Sequence, residues 1–163
     1  MNTVIPCSVA SHASTQAVVI YQGAQSTPFT LALSVAAPGV FTVNRTGAGQ
    51  AVVLNQDGSV NGTSNAAPRG SEVALYATAV GPTTPCVDGQ VYTNNFPTAT
   101  SPITVGVGNI GAQVLYEGQA PYLISGVTQI NILIPSDAPT GVVPLTLVVN
   151  GVSSSNNVTI AVK

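Results

Sequence analysis

The chain has 163 residues, enough for one comfortable domain or two small sandwiches and long enough to bury a sizeable core. Only 5% of its residues are Asp, Glu, Lys or Arg, against roughly 25% in ordinary soluble domains. The three basic residues, Arg45, Arg69 and Lys163, cannot neutralise a run of phosphates or grip an anionic bilayer, so neither nucleic acid nor a charged membrane surface is an expected partner.

Asn2–Ile5 reads as a short strand closed by Pro6, and Cys7–Thr15 as a loop of small residues. Ala17–Tyr21 is strongly β-forming. Phe29–Val35 alternates, which predicts Phe29, Leu31, Leu33 and Val35 facing inward against Thr30, Ala32 and Ser34. These two strands make a hairpin with nothing of its own to cover it, and an isolated hairpin is marginal in water. The pattern breaks at Ala36-Ala37-Pro38-Gly39, which divides the chain into an N-terminal hairpin over 1–36 and a main module over 37–163.

A new run opens at Val40-Phe41-Thr42-Val43, and seven further strands follow: 50–54, 72–80, 102–107, 112–117, 127–134, 143–150 and 157–162. The turns between them are rich in Gly, Pro, Asn and Asp, and no segment has helical periodicity. The expected fold is all-β: an immunoglobulin-like antiparallel β-sandwich with an additional N-terminal β-hairpin. The longest connection without a convincing strand is 81–100, which holds Cys86, Tyr92 and Phe96; loops of that length in compact domains are usually functional or poorly ordered. Mean hydropathy is positive, at +0.41, yet no run approaches the roughly 18–20 apolar residues of a spanning helix, so membrane insertion is not expected.

The chain also repeats itself. Gln129–Val162 and Asn2–Val35 share an order of Asn, Pro, polar loop, apolar strand, Gly/Ser turn and alternating strand. An offset of 129 places Pro6 on Pro135, Val18 on Leu147, Ile20 on Val149, and Phe29, Leu31 and Leu33 on Val158, Ile160 and Val162. Only the turn glycine slips, Gly23 against Gly151. The N-terminal hairpin is accordingly expected to be the tail of a preceding β-module. No signal peptide is visible, and Met1 reads as a start placed on a fragment or mature segment.

The chemistry-bearing motifs point away from catalysis and cofactors. Gly106–Gly111 fits GxGxxG, but a strand follows where pyrophosphate binding needs a helix N-terminus. Asn55–Asn61 has the centre of a calcium loop without the carboxylates at its ends, Val53 and Ser64 standing there instead. His12 is the only histidine, and no GxSxG elbow accompanies any serine. Neither catalytic, cofactor-binding nor metal residues are expected. Cys7 and Cys86 both lie in loops beside Pro, which suits a disulfide tying the N-terminal segment to the main module.

In combination, APGVFT at 37–42, GQAVVLNQDGSVN at 49–61, APRGSEVALYATAVGP at 67–82, YLISGVTQINILIP at 122–135 and VNGVSSSNNVTIAV at 149–162 resemble the uncharacterised C-terminal immunoglobulin-like β-sandwich domain of large secreted proteins of acidobacterial type. The chain also resembles, more distantly, the transcription-factor-type immunoglobulin-like domains of cell-surface receptors. The resemblance implies an extracellular or cell-surface accessory module with no catalytic residue and no established ligand. Cys7 departs from that pattern.

The leading expectation is a non-enzymatic structural or adhesive module of a secreted or surface protein, partnered by other domains of a parent protein or by copies of itself. A self-assembling fibre subunit using strand complementation is the second reading. The third is a carbohydrate-binding module using Tyr92, Phe96 and Tyr122 as its contact surface.

Overall fold

The computed structural model describes residues 3–155 and 157–163. After a 3-10 turn at Cys7–Val9 come β1 (Ser14–Ala17), β2 (Ile20–Tyr21), β3 (Ala24–Gln25) and β4 (Phe29–Ala32). Then follow β5 (Gly39–Val40), β6 (Gly49–Gln50), β7 (Val53–Asn55), β8 (Glu72–Thr78), β9 (Thr83–Thr84) and β10 (Thr98–Ala99). The remainder is β11 (Ile103–Val107), β12 (Ile110–Gln119), β13 (Val127–Leu133), β14 (Gly141–Val149), β15 (Val152–Ser153) and β16 (Val158–Val162). The chain is thus all-β, as its alternating pattern predicts.

The main body is one curled sheet along the path β5-β8-β13-β12-β11-β14-β16-β6, antiparallel throughout except between β16 and β6. The curl follows from how single strands change partner. β12 pairs with β11 over Ile110–Ala112, then with β13 from Gln113 onward, with a bulge between Val114 and Tyr116 that turns it. β14 likewise pairs with β16 through Gly141–Pro144 and with β11 through Leu145–Val149. The two ends of the path meet in one short segment: Gln50 pairs with Thr159, and Val53 pairs with Leu75.

Inside the curl, alternate residues build a dry core. Val73, Leu75 and Ala77 of β8 face it, as do Ile130 and Ile132 of β13, Leu145, Leu147 and Val149 of β14, and Val158, Ile160 and Val162 of β16. Each skips one residue, the period that puts successive side chains on opposite faces. Asn61 joins this core through its side chain, which acts as a short piece of strand. Its Nδ2 donates to Ala161 O at 2.9 Å and its Oδ1 accepts from Ala161 N–H at 2.9 Å.

The N-terminal part differs. From Thr3 to Val35 no residue is buried; the first buried one is Ala36. β1 pairs with β4 and β2 with β3, and neither pair joins the large sheet. Of the strand expected at Asn2–Ile5, Asn2 lies outside the described residues, and Thr3, Val4 and Ile5 are not in a strand. The inward set expected in Phe29–Val35 is also corrected: Leu31 and Leu33 are half-buried, while Phe29 and Val35 are exposed, because no sheet lies over that face. The connection over 81–100 contains a short ladder, β9 with β10, that two-residue strands of Thr and Ala do not announce in sequence.

Candidate contact site

The N-terminal segment is fastened to the main body at a few points. Cys7 and Cys86 are disulfide-bonded, with Cα atoms 6.1 Å apart and 79 positions apart in sequence. Beside the bridge, Asp88 Oδ1 accepts a hydrogen bond from the Cys7 N–H at 2.7 Å. Val4 packs so closely on Gly126 that a Cβ there would lie 2.6 Å from Val4 Cγ1. Past these anchors, β1–β4 form an arm: Ser26 N–H donates to Val19 O and Leu33 N–H to Ala13 O within it, and Ala37 N–H reaches the body at Ala79 O.

The arm reproduces the last hairpin of the main body. Its register Ser14↔Ala32, Thr15↔Leu31, Gln16↔Thr30 matches Val142↔Ala161, Val143↔Ile160, Pro144↔Thr159. Nearer the turn, Ile20↔Gln25 and Tyr21↔Ala24 match Val148↔Ser153 and Val149↔Val152. The turns agree as well: Gln22 and Gly23 have φ of 50° and 81°, and Asn150 and Gly151 have φ of 48° and 80°. Two successive positive φ values are what a two-residue hairpin turn requires, and they favour Gly at the second place.

This register corrects the offset expected from sequence. Residues 14–26 are displaced by 128 and Phe29–Leu33 by 129, so Val19 answers to Leu147 and Tyr21 to Val149, not Val18 and Ile20. The extra residue falls between Ser154 and Val158, outside the strands. Val18-Val19-Ile20-Tyr21 is a continuous β-forming run, so alternation cannot fix its parity. The turn glycine does.

The two hairpins differ in their surroundings. Tyr21 is 71% exposed and Phe29 65%, where their counterparts Val149 and Val158 are 0% and 1% exposed. Val18, Val19 and Ile20 are exposed too. Residues 13–35 include no Asp, Glu, Lys or Arg. The arm therefore carries an uncharged apolar surface that is covered in the other copy.

The other expected contact residues lie in the 81–100 connection and in the segment that pairs with it. Tyr122 N–H donates to Tyr92 O at 2.9 Å, and Val91 bridges to Ile124, so these two tyrosines are brought together. Tyr122 sits at a left-handed φ of 61° with its ring exposed. Tyr92 is half-buried, and its hydroxyl is buried with no hydrogen-bond partner. Phe96 is half-buried next to Pro97, whose carbonyl accepts from Gln119 N–H at 2.7 Å.

A shallow groove of about 470 Å³ adjoins Tyr122, on the outward face of β8. Phe41, Val43, Val52, Tyr76, Leu123 and Val127 line it, together with Arg45. Sequence patterns did not single out this groove, because its residues come from four separate segments. Nor did they find Asp88 beside Cys7.

Polar groups elsewhere serve the fold. Asp57 accepts from the Ser59 hydroxyl and N–H, and these bonds hold its carboxyl below the usual range. In the segment weighed as a calcium loop, Asn61 Nδ2 donates to Asn55 Oδ1 and Asn65 Nδ2 to Ser59 Oγ, so the side chains bind one another. Among the described residues no three His, Cys, Asp or Glu gather to hold a metal. Gly106–Gly111 takes in the end of β11, a two-residue turn at Gly108-Asn109 and the start of β12. Burial pushes the Glu117 carboxyl and the Tyr116 hydroxyl up, and the latter donates to Gln119 O at 2.8 Å.

Compared with models of protein families, with curated proteins and with solved structures, the chain matches none of them.

Proposed function

We propose that this chain is a non-enzymatic structural or adhesive module of a secreted or cell-surface protein, built as an immunoglobulin-like β-sandwich preceded by the closing hairpin of another β-module. The observation that carries the reading is the recurrence of one hairpin, register for register and turn for turn, at the two ends of the chain. Repetition of a closing element is the mark of modules set in series. The Cys7–Cys86 bridge fits an oxidising compartment and ties the element before the module to the module itself. Adhesive contact falls to the exposed apolar groups around Tyr122, Leu123, Phe41 and Val43. The family resemblance to terminal domains of large secreted proteins is part of the same proposal.

Single-molecule pulling between the two ends tests it. A spacer gives a cooperative force peak. In oxidising buffer the released length falls short by the residues the bridge encloses, roughly 270 Å for a separation of 79 residues, and reductant restores it. A chain that extends without a force peak would overturn the reading.

A further inference from the structure

The β14–β16 hairpin shows what the arm lacks. Within the main body the outer edge of β14 pairs with β11, from Ile103↔Val149 to Val107↔Leu145, and β16 pairs in parallel with β6 at Val158↔Gly49 and Thr159↔Gln50. Its inner face, Val143, Leu145, Leu147, Val149, Val158, Ile160 and Val162, is buried in the core. The register transfers each of these to the arm: Thr15, Ala17, Val19, Tyr21, Phe29, Leu31 and Leu33. Tyr21 and Phe29 are larger than their counterparts, while Thr15 and Ala17 are smaller. The face thus keeps nearly the same total volume, the condition under which a core tolerates repacking.

Resting on the module reading above, we propose that the arm is the closing hairpin of a second, incomplete β-module, one of this same design that lacks its own last two strands. That partner lays a strand antiparallel along Ala17–Tyr21 and a short strand parallel beside Phe29–Thr30. It also covers the arm's inner face with apolar side chains, as the shared core that includes Val73, Leu75, Ile130 and Ile132 covers β14 and β16 here. Area and charge both agree. Tyr21 and Phe29 each bury about 150–250 Å² when covered. Val19, 44% exposed, extends the same face, with Leu31 and Leu33 half-buried behind it. No charge on residues 13–35 opposes its burial. A complete second copy is not the occupant, because its seat for such a hairpin is already filled by its own β14 and β16.

The test uses the full chain with residues 37–140 of the same chain as the probe, a module deprived of its last hairpin, refolded together at equal concentration. A peptide of residues 141–163 in place of the full chain is the control. The expected result is a one-to-one complex by light scattering. Amide hydrogen exchange at Ala17–Tyr21 and Phe29–Thr30 should slow by at least about a hundredfold, and Val19→Asp with Phe29→Asp should abolish both effects. A probe that closes on the peptide and leaves the arm unprotected would overturn the proposal, as would a full chain that dimerises alone with its arms protected. Should the probe refold with neither, the linked version decides: residues 14–33 grafted in place of 142–162 of the full chain. Cooperative unfolding of the graft supports the proposal, and loss of cooperative unfolding overturns it. A negative result leaves the force response of the wild-type chain unchanged, so it separates from failure of the module reading.

Discussion

Ser26 and Ser154 occupy one structural position in two copies of the same hairpin. Ser26 Oγ accepts from the Val19 N–H at 3.0 Å and Ser26 N–H donates to Val19 O at 2.9 Å; Ser154 makes the same pair of bonds with Leu147, at 3.1 and 2.7 Å. The hydroxyl substitutes for a backbone acceptor where each ladder kinks. Because Ser154 is buried and Ser26 exposed, the same substitution has two outcomes. Ser154→Ala leaves a buried N–H unpaired and should lower stability by about 1–2 kcal/mol, whereas Ser26→Ala, with water at hand, should change it by less than about 0.5 kcal/mol. Denaturant titration of both variants checks this.

The apolar pair beside them makes the same comparison for packing. Leu147 is fully buried, so Leu147→Ala should cost about 3 kcal/mol through lost transfer energy and the cavity left behind. Val19 holds the matching place on the uncovered arm, and Val19→Ala should stay within about 0.5 kcal/mol in the isolated chain. Equal losses at the two sites would mean the arm is covered in solution.

What sequence made legible here, and what it hid, follows from the range of the interactions. The long strands β8, β11, β12, β13, β14 and β16 were readable because half-buried strands alternate, and residues such as Val73, Leu75 and Ala77 advertise it. The repeat was readable for the same reason. Its register was not, since Val18–Tyr21 is apolar in both parities and only the Gln22-Gly23 turn settles the matter. A strand at 50–54 was legible, and β6 and β7 stand there, but its role in closing the curled sheet was hidden, because its partners in β16 and β8 are distant in sequence. The contact groove was hidden likewise, being assembled from Phe41, Tyr76 and Leu123.

Asn61 is the residue on which that closure leans most. Besides its two bonds to Ala161, its Oδ1 accepts from Gln50 Nε2 at 3.0 Å and its Nδ2 donates to Asn55 Oδ1 at 3.0 Å. Asn61→Leu keeps the branched outline at a larger volume and removes all four bonds, two of them to backbone groups of β16. A loss of about 3 kcal/mol is expected by denaturant titration, with hydrogen exchange speeding first at Ala161 and Lys163. A change below about 1 kcal/mol would show that water replaces the side chain.

Opening the Cys7–Cys86 bridge should act mainly on the unfolded chain. For a separation of 79 residues the chain-entropy estimate is about 4.5 kcal/mol, which is the upper limit expected for Cys7→Ser with Cys86→Ser. Locally, the Asp88 bond to the Cys7 N–H loses its support, and exchange should quicken at Cys7 and Ser125 while β13 and β14 stay protected. Global unfolding on reduction at room temperature would contradict this division.

The response to pH should be small and should come from two carboxylates of opposite sign. Burial raises the Glu117 carboxyl above its usual range, so the folded state holds that proton more tightly than the unfolded state. Its effect is therefore to weaken the fold as pH rises from the ordinary Glu value through the raised one, and to disappear in stronger acid. Asp57 is held low by Ser59, so its contribution is present above the ordinary Asp value and is lost as pH falls through the lowered one. Glu117→Gln removes only the first effect. Its thermal midpoint should match wild type in acid and exceed it modestly at neutral pH, the gap opening across the range in which Glu117 ionises. Because Glu117 is only partly buried the gap should be small; a variant less stable than wild type at neutral pH would show that the charged carboxylate is stabilised in place.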